Sequence, residues 1–574
     1  MKFMKCLVAL VFAFCAFTSI TNAQNVQFLG GGSSALFQEL GAAAYTIVNV
    51  PAGSGCLWTS GSTTANPPPL GSDYFASRDA RPGIANNGDE NGNLFVAWNT
   101  NGGTCAAPVA GYNIYAYMQL DSTIGNRCYF ENDGSGHSGC LLFGILNGAL
   151  GANKITTQAD VPAASQLPAA ILTALTTGAT AGHYFVGGTD IRPEDALFAT
   201  QRALAPCNVL ILRQFFNNTS YALLGGGYQT ANPNIGTPIV GDPAYGAGSF
   251  NVVTFNIAGV DPISGAGVPG YTVNTVGAQP ELIIVGPTTD GAVAQMTDIT
   301  NYTLSQFYAG NLGRTTDLFG VNVAEPMNFL VRESLSGTYN VFEYSNPQST
   351  QFHTGQETGN CNAGGTWLQN PLHLATAPGV FGGAVNRIRS IGTGNIYKFV
   401  DAAPNGTPVL GYAFWSAGNV NALLKTKYLK VNGVDPLLPA GQYTGLVPGS
   451  TEVGAPPIAN VTFDGLNAGD YPIWSPLRLI APNPVPAGVT AMLTALDNLN
   501  VLQNDYIKRA NLKIWHSHFQ INGQPANASN GSLFCAGGLV EGGGDAGGST
   551  MLGINDSHFC ADFGTNVGKL NLTF

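Results

Sequence analysis

The residues with the clearest potential for chemistry lie in three short segments, each at a junction where an apolar run gives way to a helical pattern. These segments contribute Ser33, Ser34 and Ala35; Thr189 and Asp190; and Arg332, Ser336, Gly337 and Thr338. Helix N-termini, hydroxyls and a guanidinium are the donors that bind tetrahedral oxyanions. The pattern therefore predicts a small anion site built from local groups.

Asp190 adds an acceptor to this set of donors. A carboxylate repels an anion unless the anion carries a proton that it can donate. Monohydrogen phosphate carries such a proton, whereas sulfate at neutral pH does not, so an ionised Asp190 would reject sulfate. We therefore expect inorganic phosphate as the ligand.

The elements that must position these residues alternate between strand and helix. Apolar and β-branched runs predict strands over residues 26–29, 112–120, 184–186, 209–213, 251–257, 282–285, 327–331, 409–415 and 512–519. Helical spacing is found over residues 35–45, 163–175, 196–204 and 304–312 and from Gly337 onward, with Thr303 as a predicted N-cap. Residues 30–32 read as a glycine turn. This alternation favours an α/β fold, in which ligands bind beyond the carboxyl ends of strands.

Composition points to an exported protein. Only 10% of residues are charged, against about 25% in ordinary soluble domains. Lys2 and Lys5, an apolar run over residues 7–17 and small residues up to Ala23 predict a signal peptide, cleaved after Ala23, and a periplasmic or secreted location. Without the two lysines the formal charge is −13 rather than −11. The lack of a basic run disfavours nucleic acid, and no later segment is long enough to make an integral membrane protein.

Eight cysteines follow the predicted signal, which suggests disulfides, and Cys128–Cys140 and Cys535–Cys560 are plausible local bridges. The absence of a C-x-x-C pair argues against a zinc site, and the His516-x-His518 pair is better explained structurally than as a metal site. No set of catalytic residues can be nominated. We therefore predict a binding protein without a metal or cofactor, not an enzyme.

At these residues the chain resembles the phosphate-binding proteins of phosphate ABC transporters. The family's Arg-x-Asp-Gly-Ser-Gly-Thr motif corresponds to residues 332–338, with the same spacing from arginine to Ser-Gly-Thr. Further matches, in the family's order, are the glycine-rich loop at 30–35, Thr189-Asp190 in place of the family's Ser-Asp, the hinge strand at 251–257, the helix at 304–310 and the segments at 392–400 and 410–412.

The resemblance implies an α/β, two-lobed type II periplasmic-binding fold, enlarged by loop-rich, β-rich insertions. The expected organisation is a signal peptide at 1–23, lobe 1 at 24–257 with an insertion near 50–150, lobe 2 at 258–410, and a return to lobe 1 with a C-terminal elaboration at 411–574. Arg332, Ser336, Gly337 and Thr338 would lie on one lobe, and Ser34, Ala35 and Asp190 on the other. The implied partners are phosphate and an ABC transporter permease.

Two departures from the family bear on the site. Ser334 stands where the family has the aspartate that partners its arginine, and the family's Gly-Ser-Ser-Gly loop has no clear match, although residues 134–139 are one candidate. One alternative is a secreted surface or matrix protein of the same fold that binds glycans or cell-surface partners through its Gly/Asn/Thr-rich insertions. A phosphate-ester hydrolase is a third hypothesis, which turnover of a chromogenic ester would reveal.

Overall fold

The computed structural model describes residues 25–59, 94–120, 122, 125–126, 129, 167–180, 186–191, 271–309, 311–332, 336–345, 373–374, 386–390, 392–499, 506–508, 511, 514–517 and 546–549. The predictions for the signal peptide, for residues 134–139, 196–204, 209–213 and 251–257, and for the two local cysteine pairs lie outside these residues. Within the described ranges, no helix is both long and apolar enough to cross a bilayer.

Strands and helices alternate along the described chain. The strands are β1 (Asn25–Ser33), β2 (Gly55–Thr59), β3 (Leu94–Asn99), β4 (Asn113–Leu120), β5 (Val186–Thr189), β6 (Tyr271–Gly286), β7 (Asp298–Ile299), β8 (Asn328–Arg332), β9 (His373–Leu374), β10 (Asn386–Ser390), β11 (Val409–Phe414), β12 (Lys427–Val431), β13 (Trp474–Pro482), β14 (Ile507–Lys508), β15 (Ile514–Ser517) and β16 (Ala546–Ser549). The α-helices are α1 (Phe37–Val48), α2 (Ala169–Thr180), α3 (Gly291–Gln295), α4 (Asn301–Ala309), α5 (Gly337–Ser345), α6 (Thr393–Asp401), α7 (Ala417–Val420), α8 (Asp464–Asn467) and α9 (Ala487–Asn498). Short 3-10 turns cover Ser34–Leu36, Thr315–Asp317 and Ile458–Asn460. The α/β fold class is confirmed.

One 14-stranded sheet organises the molecule, with its main path in the order β2-β3-β4-β1-β5-β13-β6-β11-β8-β10-β9. Strands β4, β1 and β5 are parallel, as are β11, β8, β10 and β9. The antiparallel pair β13–β6 separates these two parallel blocks. The carboxyl ends of parallel strands form a single edge, so each block offers one edge for ligand binding.

Each block has its own hydrophobic core. Helices α1 and α9 pack with β1, β3 and β4 around Phe28, Leu40 and Phe95. Helices α4, α5 and α6 contribute to a second core around Phe329 and Tyr412. We call these two parts the first lobe and the second lobe.

Strand β6 belongs to both lobes. Residues 271–280 pair with β13, and residues 281–286 pair with β11. The change of partner falls between Pro280 and Glu281, where the Glu281 N–H donates to the carbonyl of Ile473 at 2.8 Å. The sequence-based boundary at residue 410 falls inside β11, and the chain returns to the first core only at β13.

Two local predictions are wrong. Residues 30–32 are not a turn but part of the carboxyl-terminal half of β1, paired with both β4 and β5. Part of the insertion expected near residues 50–150 forms β2 and β3. Strand β3 pairs antiparallel with β4, β2 pairs antiparallel with β3, and a Cys56–Cys105 disulfide ties β2 to the loop after β3. Helix α4 begins at Asn301, so the capping hydroxyl that accepts from the Thr303 N–H belongs to Thr300.

Candidate functional site

The first part of the site is the close packing of β1 on β5 at their carboxyl ends. Gly32 lies opposite Gly188, and a Cβ on Gly32 would overlap the Gly188 carbonyl. Gly125 packs over the same point, with its Cβ position 2.7 Å from the Gly32 Cα. Glycine is required here because any side chain would separate the strands. The glycine run therefore brings the ends of β1 and β5 together.

Asp190 directly follows β5 and is 1% exposed. Its main-chain carbonyl accepts a hydrogen bond from the Ser475 hydroxyl at 2.8 Å and another from Nη1 of Arg478 at 3.0 Å. Both donors come from β13, which pairs antiparallel with β5. The backbone of Asp190 is thus fixed to one of the two central strands rather than to a surface loop.

The Asp190 side chain reaches the second lobe. A Cβ added to Gly337, the first residue of α5, would overlap all three atoms of the Asp190 carboxylate group. Within the described chain, Oδ1 of Asp190 is buried and accepts no hydrogen bond. A buried acceptor at the N-terminus of a helix is suited to a group that brings its own proton.

Arg332 ends β8 and is 2% exposed. Its Nη1 donates to the Thr393 hydroxyl at 2.6 Å, and its main-chain N–H donates to the Tyr412 hydroxyl at 3.1 Å. Thr393 is the first residue of α6, so Arg332 is held between two strand-to-helix junctions. A neutral hydroxyl orients the guanidinium without cancelling its charge.

Electrostatics link the two lobes. Burial raises the pKa of Asp190 from its ordinary value of 3.8 to about 6. The Ser122 hydroxyl, the Asp190 main-chain N–H and the guanidinium charges of Arg478 and Arg332 lower this pKa but do not cancel the effect of burial. Burial, followed by the Asp190 charge, raises the pKa of the Tyr117 hydroxyl well above its usual range.

The remaining predicted residues lie around this centre. Ser33 is buried, and its carbonyl accepts from the Tyr117 hydroxyl at 2.8 Å. Ser34 and Ala35 are half-buried in the turn before α1. The Thr189 hydroxyl accepts from the Ile191 N–H at 2.9 Å, which turns it toward its own chain. Ser336 and Thr338 are buried on either side of Gly337.

Sequence reasoning missed several residues that contact this centre. They are Ser122, Thr393, Ser475 and Arg478. Ser122 follows β4, the neighbour of β1 in the sheet, and its hydroxyl lowers the pKa of Asp190. Of these, Arg478 could have been noticed in the sequence, because it is the single charged residue of the apolar strand β13.

The arrangement combines two buried guanidiniums and two helix N-termini with one buried carboxylate. Its donors favour an anion, and its acceptor restricts the anion to one that carries a proton. In the described part of the chain, no group of three or more His, Cys, Asp or Glu side chains could hold a metal ion.

Comparison with known proteins gave structural matches only. No protein-family model matches the chain, and no curated protein matches it. It is similar to a putative phosphate ABC transporter substrate-binding protein with bound phosphate from Clostridium perfringens, at 15% identity and a TM-score of 0.23, over 40% of this chain and 65% of that one. It is also similar to PstS from Borrelia burgdorferi, at 15% identity and a TM-score of 0.24, over 40% of this chain and 66% of that one.

A longer match is to a high affinity periplasmic phosphate-binding protein, PfluDING, bound with phosphate at pH 8.5. It reaches 13% identity and a TM-score of 0.29, over 80% of each chain. The chain spans just under two thirds of the length of the first two structures. TM-scores below 0.3 are too low to establish a shared fold, so the function proposed next rests on the geometry of the site.

Proposed function

We propose that the chain is an extracytoplasmic solute-binding protein that captures inorganic phosphate between its two lobes for ABC-type uptake. The observation that carries this proposal is the contact between the buried Asp190 carboxylate and Gly337 at the start of α5, within reach of the Arg332 charge. Donors from the second lobe and an acceptor from the first therefore meet at one point.

The chemistry of that point selects phosphate. Arg332, the α5 N-terminus and the neighbouring Ser336 and Thr338 supply hydrogen-bond donors to oxyanion oxygens. Asp190 accepts a hydrogen bond from the protonated oxygen of monohydrogen phosphate. Sulfate has no such proton, so one of its oxygens would face the Asp190 carboxylate without a hydrogen bond. Burial of every one of these groups keeps competing water out of the site.

Binding requires that the lobes close on the ligand, and the connection between them permits this. Only β6 and β13 form the junction between the two parallel blocks in the described chain. Closure brings the second-lobe donors to Asp190, and opening releases the anion to a permease. The protein carries out no covalent chemistry in this role.

Isothermal titration of the mature chain, stripped of bound anion, tests the proposal. We expect phosphate to bind wild type and sulfate to give no heat at pH 7.5. Arg332→Ala should lose phosphate binding, because it removes the side-chain cation at the α5 junction. Arg387→Ala is the matched control, since Arg387 is equally buried but donates to the Tyr308 carbonyl instead.

If the folded wild-type protein gave no heat of binding with phosphate, the proposal would be contradicted. Circular dichroism and a thermal melt establish folding for each variant. An Arg387→Ala variant that also loses binding would show that the site depends on the second-lobe core rather than on Arg332.

A further inference from the structure

Arg478 is the most unusual buried residue near the site. It lies within β13, is 0% exposed, and has Leu477 and Leu479 as its neighbours in an otherwise apolar segment. Burying a guanidinium is unfavourable unless its charge and hydrogen bonds are compensated. Its Nη1 donates to the carbonyls of Asp190 at 3.0 Å and Pro476 at 3.4 Å.

The backbone is irregular at this residue. Leu477 pairs with Gly277, but Arg478 pairs with Thr275, so β6 contributes one extra residue between them. A bulge of this kind changes the direction of neighbouring side chains, and bulges are frequent beside functional sites. On its other side Arg478 pairs with Thr189, the residue before Asp190. The pairing therefore places a cation beside the acceptor of the site.

We propose that Arg478 is a specificity-determining positioning residue: it holds Asp190 in place from the central strand and keeps its carboxylate ionised, so that the site rejects anions without a proton. This inference rests on the proposed phosphate-binding function. Arg332 would contact the ligand directly, whereas Arg478 would act through Asp190.

Few groups act on Asp190, so the effect of the Arg478 charge can be measured separately from the effects of its other neighbours. Among the described residues, Asp190 is influenced by Tyr117 of β4, Ser122 after β4, Arg332 of β8 and Arg478 of β13. Of these only the two arginines carry a positive charge. The charge of Arg478 lowers the pKa of Asp190 more than the charge of Arg332 does, and both oppose the effect of burial.

Sulfate is the probe, because its charge is constant between pH 5 and pH 8 and it has no proton to donate. Wild type should exclude sulfate above about pH 6 and admit it below, where Asp190 becomes a hydrogen-bond donor. Arg478→Gln removes the charge and keeps an N–H donor on a shorter, uncharged side chain. The pH midpoint of sulfate binding should then rise by about one unit, the lower end of the effect of an adjacent opposite charge.

Three further variants assign the cause. Arg478→Lys keeps the charge and should restore the wild-type midpoint. Ser475→Ala removes the other hydrogen bond to the Asp190 carbonyl and should leave the midpoint unchanged. Arg387→Gln removes a guanidinium of equal burial from β10 and should also leave it unchanged.

An Arg478→Gln midpoint equal to that of wild type, in a protein that still binds phosphate, would overturn the inference and leave the proposed function standing. If wild type did not bind phosphate, both the inference and the proposed function would be overturned. If Arg478→Gln does not fold, the pH midpoint of sulfate binding is compared between Arg478→Lys and Arg478→Met. Equal midpoints in these two variants would likewise contradict the inference.

Discussion

The Asp190 carboxylate of the first lobe lies where a Cβ of Gly337 in the second lobe would have to be. Asp190 follows β5, and Gly337 begins α5, so the two residues come from opposite sides of the junction formed by β6 and β13. Their contact depends on a missing side chain. In the proposed binding role, glycine at this position is therefore a condition for closure of the lobes, in addition to its place at a helix start.

Gly337→Ala should prevent that closure. Overpacking a tight contact costs about 1–3 kcal/mol, so phosphate affinity should fall by about 10- to 100-fold. Gly291→Ala is the matched control, because Gly291 also begins a helix and its Cβ would meet no atom within 4 Å. Titration calorimetry on both variants checks the prediction, and equal affinities would show that the contact does not limit binding.

Asp190→Asn should abolish the discrimination between phosphate and sulfate. An amide offers a donor where the carboxylate is only an acceptor, so sulfate gains a hydrogen bond instead of a repulsion. We expect measurable sulfate binding at pH 7.5 in the variant and none in wild type. A competition assay with labelled phosphate measures this. If the variant still excluded sulfate, the acceptor at Asp190 would not be the source of selectivity.

The same substitution should stabilise the ligand-free protein at neutral pH. Because burial raises the folded-state pKa of Asp190 from 3.8 to about 6, the folded protein binds an extra proton between about pH 4 and pH 6. The wild-type free energy of unfolding therefore falls as pH rises through that window, by about 3 kcal/mol, and Asp190→Asn escapes this fall. Denaturant unfolding at pH 4 and at pH 7.5 measures the difference in free energy of unfolding between the variant and wild type at each pH. If Asp190→Asn stabilised the protein more at pH 4 than at pH 7.5, the predicted direction of the pH dependence would be wrong.

Thr393→Val should weaken phosphate binding without removing it. The Thr393 hydroxyl accepts from Arg332 at 2.6 Å, and hydrogen bonds to charged groups contribute about 1.5–3 kcal/mol. Freed from this partner, Arg332 would be less well oriented, and affinity should fall about tenfold. The control is Thr426→Val, a buried hydroxyl that donates to Asp401 at the opposite end of α6. Equal losses in both variants would indicate a general effect on α6.

Removal of the Cys56–Cys105 disulfide should affect stability but not binding. The bridge closes a separation of 49 residues on the outer strands of the first lobe. Loss of this cross-link is expected to lower the free energy of unfolding by about 4 kcal/mol on the chain-entropy model. Denaturation and phosphate titration of the Cys56→Ala/Cys105→Ala variant measure both quantities. A fall in affinity would indicate that the outer strands are coupled to the site.

The parts of the fold that could be predicted are those specified by neighbouring residues. The strand ending at Arg332 and the helix beginning at Gly337 lie within one short segment, and an apolar run followed by Ser-Gly-Thr is enough to indicate both. The same holds for β4 and β11, whose observed limits lie within one residue of the predicted ones.

The turn predicted at residues 30–32 failed because glycine has two uses. A glycine run allows a turn, but it also allows two backbones to approach closely. Only the pairing of Gly32 with Gly188, more than 150 residues away, shows that the second use applies here. Local sequence does not contain that information.

The missed site residues share this cause. Arg478 and Ser475 reach Asp190 across a sequence distance of more than 280 residues, through the antiparallel pairing of β13 with β5. The short apolar segment around them gives no indication of its partner strand. Asp190 lies beside Gly337 in the structure, but the strand that anchors it could not be identified without the sheet order.

The attachment of Asp190 to β13 has a mechanical consequence. Strands β13 and β6 join the two lobes, so they would be the axis about which the lobes close in the proposed binding role, and that motion would carry Gly337 relative to the first lobe. Asp190 is bonded to the axis itself through Ser475 and Arg478. In the proposed binding role, the acceptor that distinguishes one anion from another would therefore stay fixed, and the donors would move to it.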